Sequence, residues 1–212
     1  MPKSIGLFSD LDLDVKLGTS GDDSILSDED RNSLIFGFSG NDTIFAGGSA
    51  SSTHQYNVVL AGPGDDQVFS WGANDLILGG PGNDFLESSG GADTFIGGAG
   101  NDWLADYDEG PNDLGPQEDP GDTFIFNRMV GGFGDDGVHS FDFGVDRVVF
   151  AGYSECDLAK PADISVSETD VPGRYFALGD FTFKDGSHVR IGGYAFDKDV
   201  AIGRDFIFTG ST

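Results

Sequence analysis

The chain has 212 residues, 38% of them hydrophobic and 19 of them Phe, with 37 acidic against 11 basic side chains and a formal net charge of -26. So acidic a surface repels phosphate and uronate, which makes nucleic acid, anionic membranes and polyuronate chains poor partners, while the apolar content argues for a packed chain and against a disordered acidic tail. The charge is uneven: residues 1–127 hold 23 acids and three bases (Lys3, Lys16, Arg31) and need cations from outside, whereas 128–212 hold 14 acids and eight bases and do not.

In chain order, MPKSIGLFSD lacks the apolar core of a removable secretory leader, and no apolar run anywhere is long enough to span a bilayer, so no membrane insertion is expected. Within a lead-in of residues 1–17, Asp10, Asp12 and Asp14 alternate with Leu11 and Leu13 like a solvated strand face. A nine-residue unit then sets in: GTSGDDSIL (18–26) and GFSGNDTIF (37–45) are full copies. DEDRNSLIF (28–36) and STHQYNVVL (52–60) keep the apolar half but place Ser33 and Asn57 where Asp belongs, and AGGSAS (46–51) reads as a small loop insertion. From 61 to 105 five units run without a gap: AGPGDDQVF, SWGANDLIL, GGPGNDFLE, SSGGADTFI and GGAGNDWLA. Asp holds the sixth place in all five. An acidic, Pro-rich loop occupies 106–121, and Asp122 with TFIF makes a tenth row.

Each unit has a turn half and a strand half. Glycines at the first, second and fourth places permit left-handed backbone angles, and the residues after the Asp alternate with a period of two. The eighth place is apolar in all ten rows: Ile25, Ile35, Ile44, Val59, Val68, Ile77, Leu86, Phe95, Leu104 and Phe124. Nine residues are too few for a helix with its connections, so the expected fold is all-β, a parallel β-roll with two units per coil and the eighth-place residues between its two sheets.

Stacking alternate rows puts sixth-place carboxylates about 4.8 Å apart, where a bare pair repels by roughly 1 kcal/mol even in water-like dielectric. The column therefore calls for a cation. One ladder is expected from Asp23, Asp42, Asp66, Asp84 and Asp102, the other from Asp75, Asp93 and Asp122, the second starting weakly at Ser33 and Asn57. Carbonyls of Gly21, Gly40, Gly62, Gly64, Gly80, Gly82, Gly91, Gly98 and Gly100 complete an oxygen cage. Hard oxygen ligands in a flexible backbone suit Ca2+ better than Mg2+, and the absence of Cys and His from these places argues against transition metals.

The outward places differ between the sheets. One face carries Leu34/Phe36, Val58/Leu60, Leu76/Leu78, Thr94/Ile96 and Thr123/Ile125, too apolar for water, and the C-terminal half is expected to cover it. The other has an aromatic row including Phe69, Phe85 and Trp103, a face for a glycan or protein partner unless residues 127–212 or a symmetry mate cover it. Residues 127–212 read as an antiparallel β cap in which FTFKDGSHVRIGGYAF (181–196) is a hairpin. Asp135 and Asp136 in GGFGDDG read as a Gly-flanked turn able to hold one further calcium, rather than as an acid–base pair. Cys156 is alone, which excludes an internal disulfide, and reads as a small buried residue; His54, His139 and His188 are isolated and read as surface or turn residues.

The nonapeptide resembles that of the RTX calcium-binding family, over residues 18–126. GDTFIF (121–126) with HSFDFGVDRVVFAGY (139–153) is similar to the segment C-terminal to the roll in serralysin-type proteases and in the repeat modules of secreted epimerases. RDFIFTGST resembles the end of chains exported by type I secretion. The resemblance implies a right-handed roll over 18–126, several structural Ca2+ ions, type I secretion machinery as a partner, and a secreted, extracellular protein that folds when it meets calcium. No HExxH motif, nucleophile elbow, phosphate loop or redox pair is present, so an enzyme is not expected. The alternatives are a calcium-dependent adhesion or carbohydrate-binding module, the C-terminal part of a secreted enzyme, and an enzyme with a carboxylate site in the C-terminal half.

Overall fold

The computed structural model describes residues 13–27, 31–47, 56–72, 74–107, 121–170, 175–195 and 205–210. Strands come one per repeat unit and alternate between two sheets. In the first, β1 (Leu13–Leu17), β3 (Asn32–Phe36), β5 (Asn57–Leu60), β7 (Leu76–Pro81), β9 (Thr94–Ala99), β11 (Thr123–Asn127), β13 (Arg147–Ala151) and β17 (Phe206–Phe208) stack in that order. Every neighbouring pair is parallel. In the second, β2 (Ser24–Leu26), β4 (Thr43–Ala46), β6 (Gln67–Ser70), β8 (Phe85–Ser88), β10 (Trp103–Asp106) and β12 (Asp135–Phe143) do the same and continue into β16 (His188–Ala195). Only there does pairing turn antiparallel, through β15 (Tyr175–Thr182) to β14 (Asp163–Glu168). A chain that crosses between two parallel sheets at every nonapeptide is a parallel β-roll.

The periodicity fixes the core. Nine of the ten eighth-place residues have no exposed surface and Ile25 is 7% exposed. Each contributes about 1.5–3 kcal/mol of burial, and because every coil repeats the contact, the sheets stay in register along the roll. Toward the C-terminal end the filling becomes aromatic: Phe95 stacks on Phe124 at 4.9 Å, and Phe150 meets Phe181, Phe183 and Phe208 at 5.0–5.2 Å.

Parallel pairing does not stop at residue 126. GGFGDDGVH (131–139) and FDFGVDRVV (141–149) repeat the order of residue types, and Val138 and Val148 are fully buried in eighth-place positions. Among the described residues the antiparallel pairing is that of β14–β16 together with a lone bridge between Leu158 and Phe183, and the hairpin turns at Lys184–Gly186 and adds to the last edge of the second sheet. Its charges are spent internally: Asp180 accepts Lys160, His188 and Arg190, each at 3.3 Å, and Arg128 pairs with Asp157 at 3.2 Å.

The described part of the C-terminal half does not cover the apolar outer face of the first sheet as the sequence suggests. Among the described residues no strand packs across it, and Leu34, Phe36, Val58, Leu60, Leu76 and Leu78 are only half-buried, shielded by their neighbours on adjacent strands. The C-terminal strands instead lengthen the sheets, because a sheet edge offers unmet N–H and C=O groups that an apolar face does not. Cys156 is exposed, not buried, since it sits in the short 3-10 turn Glu155–Asp157, none of whose residues is buried. Asp14 faces inward at the open first coil and pairs with Lys16 at 3.2 Å; Asp10, Asp12 and His54 lie outside the described residues.

Candidate metal centre

The turns leading from the first sheet to the second build one edge of the roll. Each sixth-place Asp there accepts, through Oδ1, the backbone N–H of its counterpart one coil earlier. Asp42 takes the N–H of Asp23 at 2.9 Å, Asp66 that of Asp42 at 2.7 Å, and Asp84 that of Asp66 at 2.9 Å. Asp102 takes that of Asp84 at 2.9 Å and Asp136 that of Asp102 at 2.8 Å. The five expected residues are thus brought into one column, and Asp136 is its sixth rung. The Oδ2 atoms of Asp42, Asp66, Asp84, Asp102 and Asp136 are buried, with no hydrogen-bond donor among the described residues.

The glycines explain how these oxygens are left open. A Cβ on Gly37, Gly79 or Gly97 would fall on Oδ2 of Asp42, Asp84 or Asp102, so these three first places must be bare, whereas Ala61 takes the first place before Asp66. Eight of the nine glycines expected to offer carbonyls (Gly21, Gly40, Gly62, Gly64, Gly80, Gly82, Gly98, Gly100) lie on this edge and stack coil upon coil; Gly91 lies on the opposite one. The third-place carbonyls of Pro63, Pro81 and Ala99 accept N–H groups of Gly40, Gly64 and Gly82 at 2.8–3.0 Å. Among the described residues no donor reaches the carbonyls of Gly64, Gly82 or Gly100. Unmet carboxylate oxygens beside unmet carbonyls make an all-oxygen environment that suits a hard divalent cation.

A second ladder, which the repeat count passed over, runs in the reverse sense at the fifth place. Asn41 N–H donates to Asp22 at 2.8 Å, Asp65 to Asn41 at 3.0 Å, and Asn83 to Asp65 at 2.7 Å. Asn101 donates to Asn83 at 2.9 Å and Asp135 to Asn101 at 3.0 Å. The signal was the recurrent Asn or Asp just before the invariant Asp. Each coil is therefore clamped to the next in both directions.

On the opposite edge Ser33, Asn57, Asp75, Asp93 and Asp122 form a similar column that continues to Asp146. The N–H of Ser33 reaches Asn57 at 3.2 Å, that of Asn57 reaches Asp75 at 2.8 Å, and that of Asp75 reaches Asp93 at 2.7 Å. Asp93 donates to Asp122 at 2.5 Å and Asp122 to Asp146 at 2.9 Å. Asn57 keeps the rung by offering an amide oxygen where a carboxylate would stand. Here protein groups meet some of the second oxygens: Ser70 donates its hydroxyl to Asp75 Oδ2, and Asp142 N–H donates to Asp146 Oδ2 at 2.7 Å.

Without a cation these carboxyls resist ionisation. Burial, then the neighbouring carboxylates of the column, lifts Asp84 from 3.8 to about 7 against the opposing N–H bond from Asp66. Burial likewise lifts Asp66 and Asp102 to about 6, and Asp93 and Asp136 to about 8. A folded pKa above the unfolded one means the metal-free fold binds more protons than the unfolded chain, so this contribution is complete below about pH 4 and is lost as pH rises through 6 to 8. A cation competes with those same protons. In chelator, circular dichroism should show more strand at pH 5 than at pH 8, while calcium affinity should fall as pH drops over that range; a pH-independent affinity would contradict this.

The aromatic row on the second sheet is stacked upon itself. Phe45 and Phe69 lie 5.3 Å apart, Phe69 and Phe85 5.7 Å, and Phe85 and Trp103 6.2 Å, with His139 against the far face of Trp103 at 3.4 Å. Trp103 has rings on both faces, so the row shows mainly edges to solvent. His188, in turn, pairs with Asp135 at 2.5 Å and so anchors the hairpin to the last rung.

A family model of the RTX calcium-binding nonapeptide repeat, in four copies, matches residues 17–50, 57–86 and 72–104. No curated protein matches. Among solved structures the chain is similar to the AlgE6R3 subunit of the mannuronan C5-epimerase from Azotobacter vinelandii, at 19% identity over 92% of this chain and 78% of that one, with a TM-score of 0.21.

Proposed function

We propose, from the match of residues 17–50 and 57–104 to the RTX calcium-binding nonapeptide repeat, that this chain is a secreted calcium-binding protein or module whose ions are structural and trigger its folding outside the cell. The observation that carries the reading is the edge column, where among the described residues Oδ2 of Asp42, Asp66, Asp84, Asp102 and Asp136 and the carbonyls of Gly64, Gly82 and Gly100 are left without partners. Calcium held between successive turns would neutralise paired carboxylates and satisfy both oxygen sets at once, at the 2.3–2.6 Å typical of its oxygen ligands. Asp23, Asp42, Asp66, Asp84 and Asp102, extended by Asp136, are the residues proposed to hold it. Asp75, Asp93 and Asp122 belong to the opposite column, where Ser70 already meets part of the need.

Extracellular modules bind calcium at about 0.1–1 mM, far above cytosolic levels, so a chain at charge -26 stays unfolded inside a cell and folds on export. The type I route is supported by the resemblance of RDFIFTGST alone. Stacked rings make a poor sugar platform, so a glycan partner gains no support from Phe69, Phe85 and Trp103.

Asp84→Asn tests the ligand assignment. The amide preserves an acceptor for Asp66 N–H, as Asn57 does naturally, but removes the charge shared by two intervals of the column. The variant should still fold in about 10 mM calcium, yet bind at least one ion fewer by native mass spectrometry, with a midpoint raised about tenfold. An unchanged ion count and midpoint would remove Asp84 from the ligand set.

A further inference from the structure

Among the described residues the outer face of the eight-stranded sheet carries no acid at its seventh or ninth places. At the ninth place Phe36, Leu60, Leu78, Ile96, Ile125 and Val149 succeed one another from β3 to β13, and Leu17 and Ile207 prolong the row at either end. The seventh place of the same strands carries Leu34, Val58, Leu76, Thr94, Thr123 and Arg147. Arg147 is the single charge at these outward places, in a chain with 37 acids. Across eight strands the row runs about 34 Å, and five residues of strand length give roughly 560 Å² of flat face. With the exposed Phe38 and Tyr56 at its margins, this approaches the ~800 Å² per partner of a standard interface.

Resting on the calcium reading above, we infer that in the calcium-loaded state two copies of this chain pack through this face, sheet on sheet about a two-fold axis. Charge selects the occupant. A basic partner is drawn to the carboxylates of the edges and of the other sheet, and finds none here; a second copy, itself at -26, can approach closely only where neither copy presents an acid. The face also matches itself: apolar residues repeat at the same strand spacing on both copies, so reversing the strand order keeps rows facing rows at the ~10 Å separation of packed sheets. Calcium enters because it lowers the net charge that otherwise holds the copies apart.

Sedimentation velocity in about 5 mM calcium, from about 1 to 100 μM protein, tests this, with circular dichroism of the same samples. The natural chain should sediment as a dimer. Leu60→Glu with Leu78→Glu should give a folded monomer, its dissociation constant weakened at least 100-fold and its calcium midpoint unchanged, while Gln67→Glu on the other sheet should leave the dimer intact. A folded natural chain that stays monomeric at 100 μM overturns the dimer and leaves the calcium reading standing, as does a double variant that remains dimeric. A chain that does not fold in calcium overturns both.

Discussion

In excess chelator near pH 7.5 the chain is expected to lose most of its strand signal, and 10 mM magnesium should not restore it. The energies involved are large enough. An ion present at 10 to 100 times its dissociation constant adds about 1.4–2.7 kcal/mol per site, and the six rungs from Asp23 to Asp136 bound five intervals. Together these contribute roughly 7–14 kcal/mol, as much as the whole stability of an ordinary domain. Removal also exposes the column to its own repulsion, since Asp66 has Asp42 and Asp65 beside it and Asp84 has Asp102 and Asp66. Magnesium fails because it demands a tighter octahedron and gives up its waters reluctantly.

Gly82→Ala should be nearly as damaging, although it removes no ligand. Gly82 has φ +150, and a Cβ there would overlap the carbonyl oxygen of Gly64 in the coil before. Backbone strain alone costs about 1–3 kcal/mol, and relieving the overlap separates two turns that must share a cation, so a loss of at least ~3 kcal/mol is expected in calcium. Gly21→Ala is the matched comparison. It occupies the same place in the first full unit, but nothing lies within 4 Å of its added Cβ, so the change should stay within about 0.5 kcal/mol. Chemical denaturation in saturating calcium measures both; equal losses would mean that close stacking of the glycine turns is not what the repeat protects.

What could be read from the residues was whatever the period repeats. Because every coil meets the same environment, a residue type recurring at the eighth place had to be core and one recurring at the sixth had to line an edge, and both placements hold from Ile25 to Phe124 and from Asp23 to Asp102. Two kinds of information were hidden. Asp136 was legible as part of a Gly-flanked turn able to hold a calcium, but that it and Asp146 continue the two columns was masked by insertions that break the count, and in β12 the register also shifts between His139 and Phe141. The fate of the apolar face was hidden as well, since hydropathy registers an outward-facing Leu78 but not the unmet backbone groups at the sheet ends that draw β16 and β17 away from it. The fifth-place ladder was written in the sequence as recurrent Asn and Asp, and its direction needed coordinates.

If divalent ions join neighbouring coils, unfolding must release them. The dependence of the unfolding free energy on the logarithm of calcium concentration is therefore the decisive measurement, because its slope counts the ions set free when the roll opens. A slope of at least four ions is expected for the natural chain at pH 7.5. A free energy that stays flat from chelator to 10 mM calcium would contradict the joining of coils by metal.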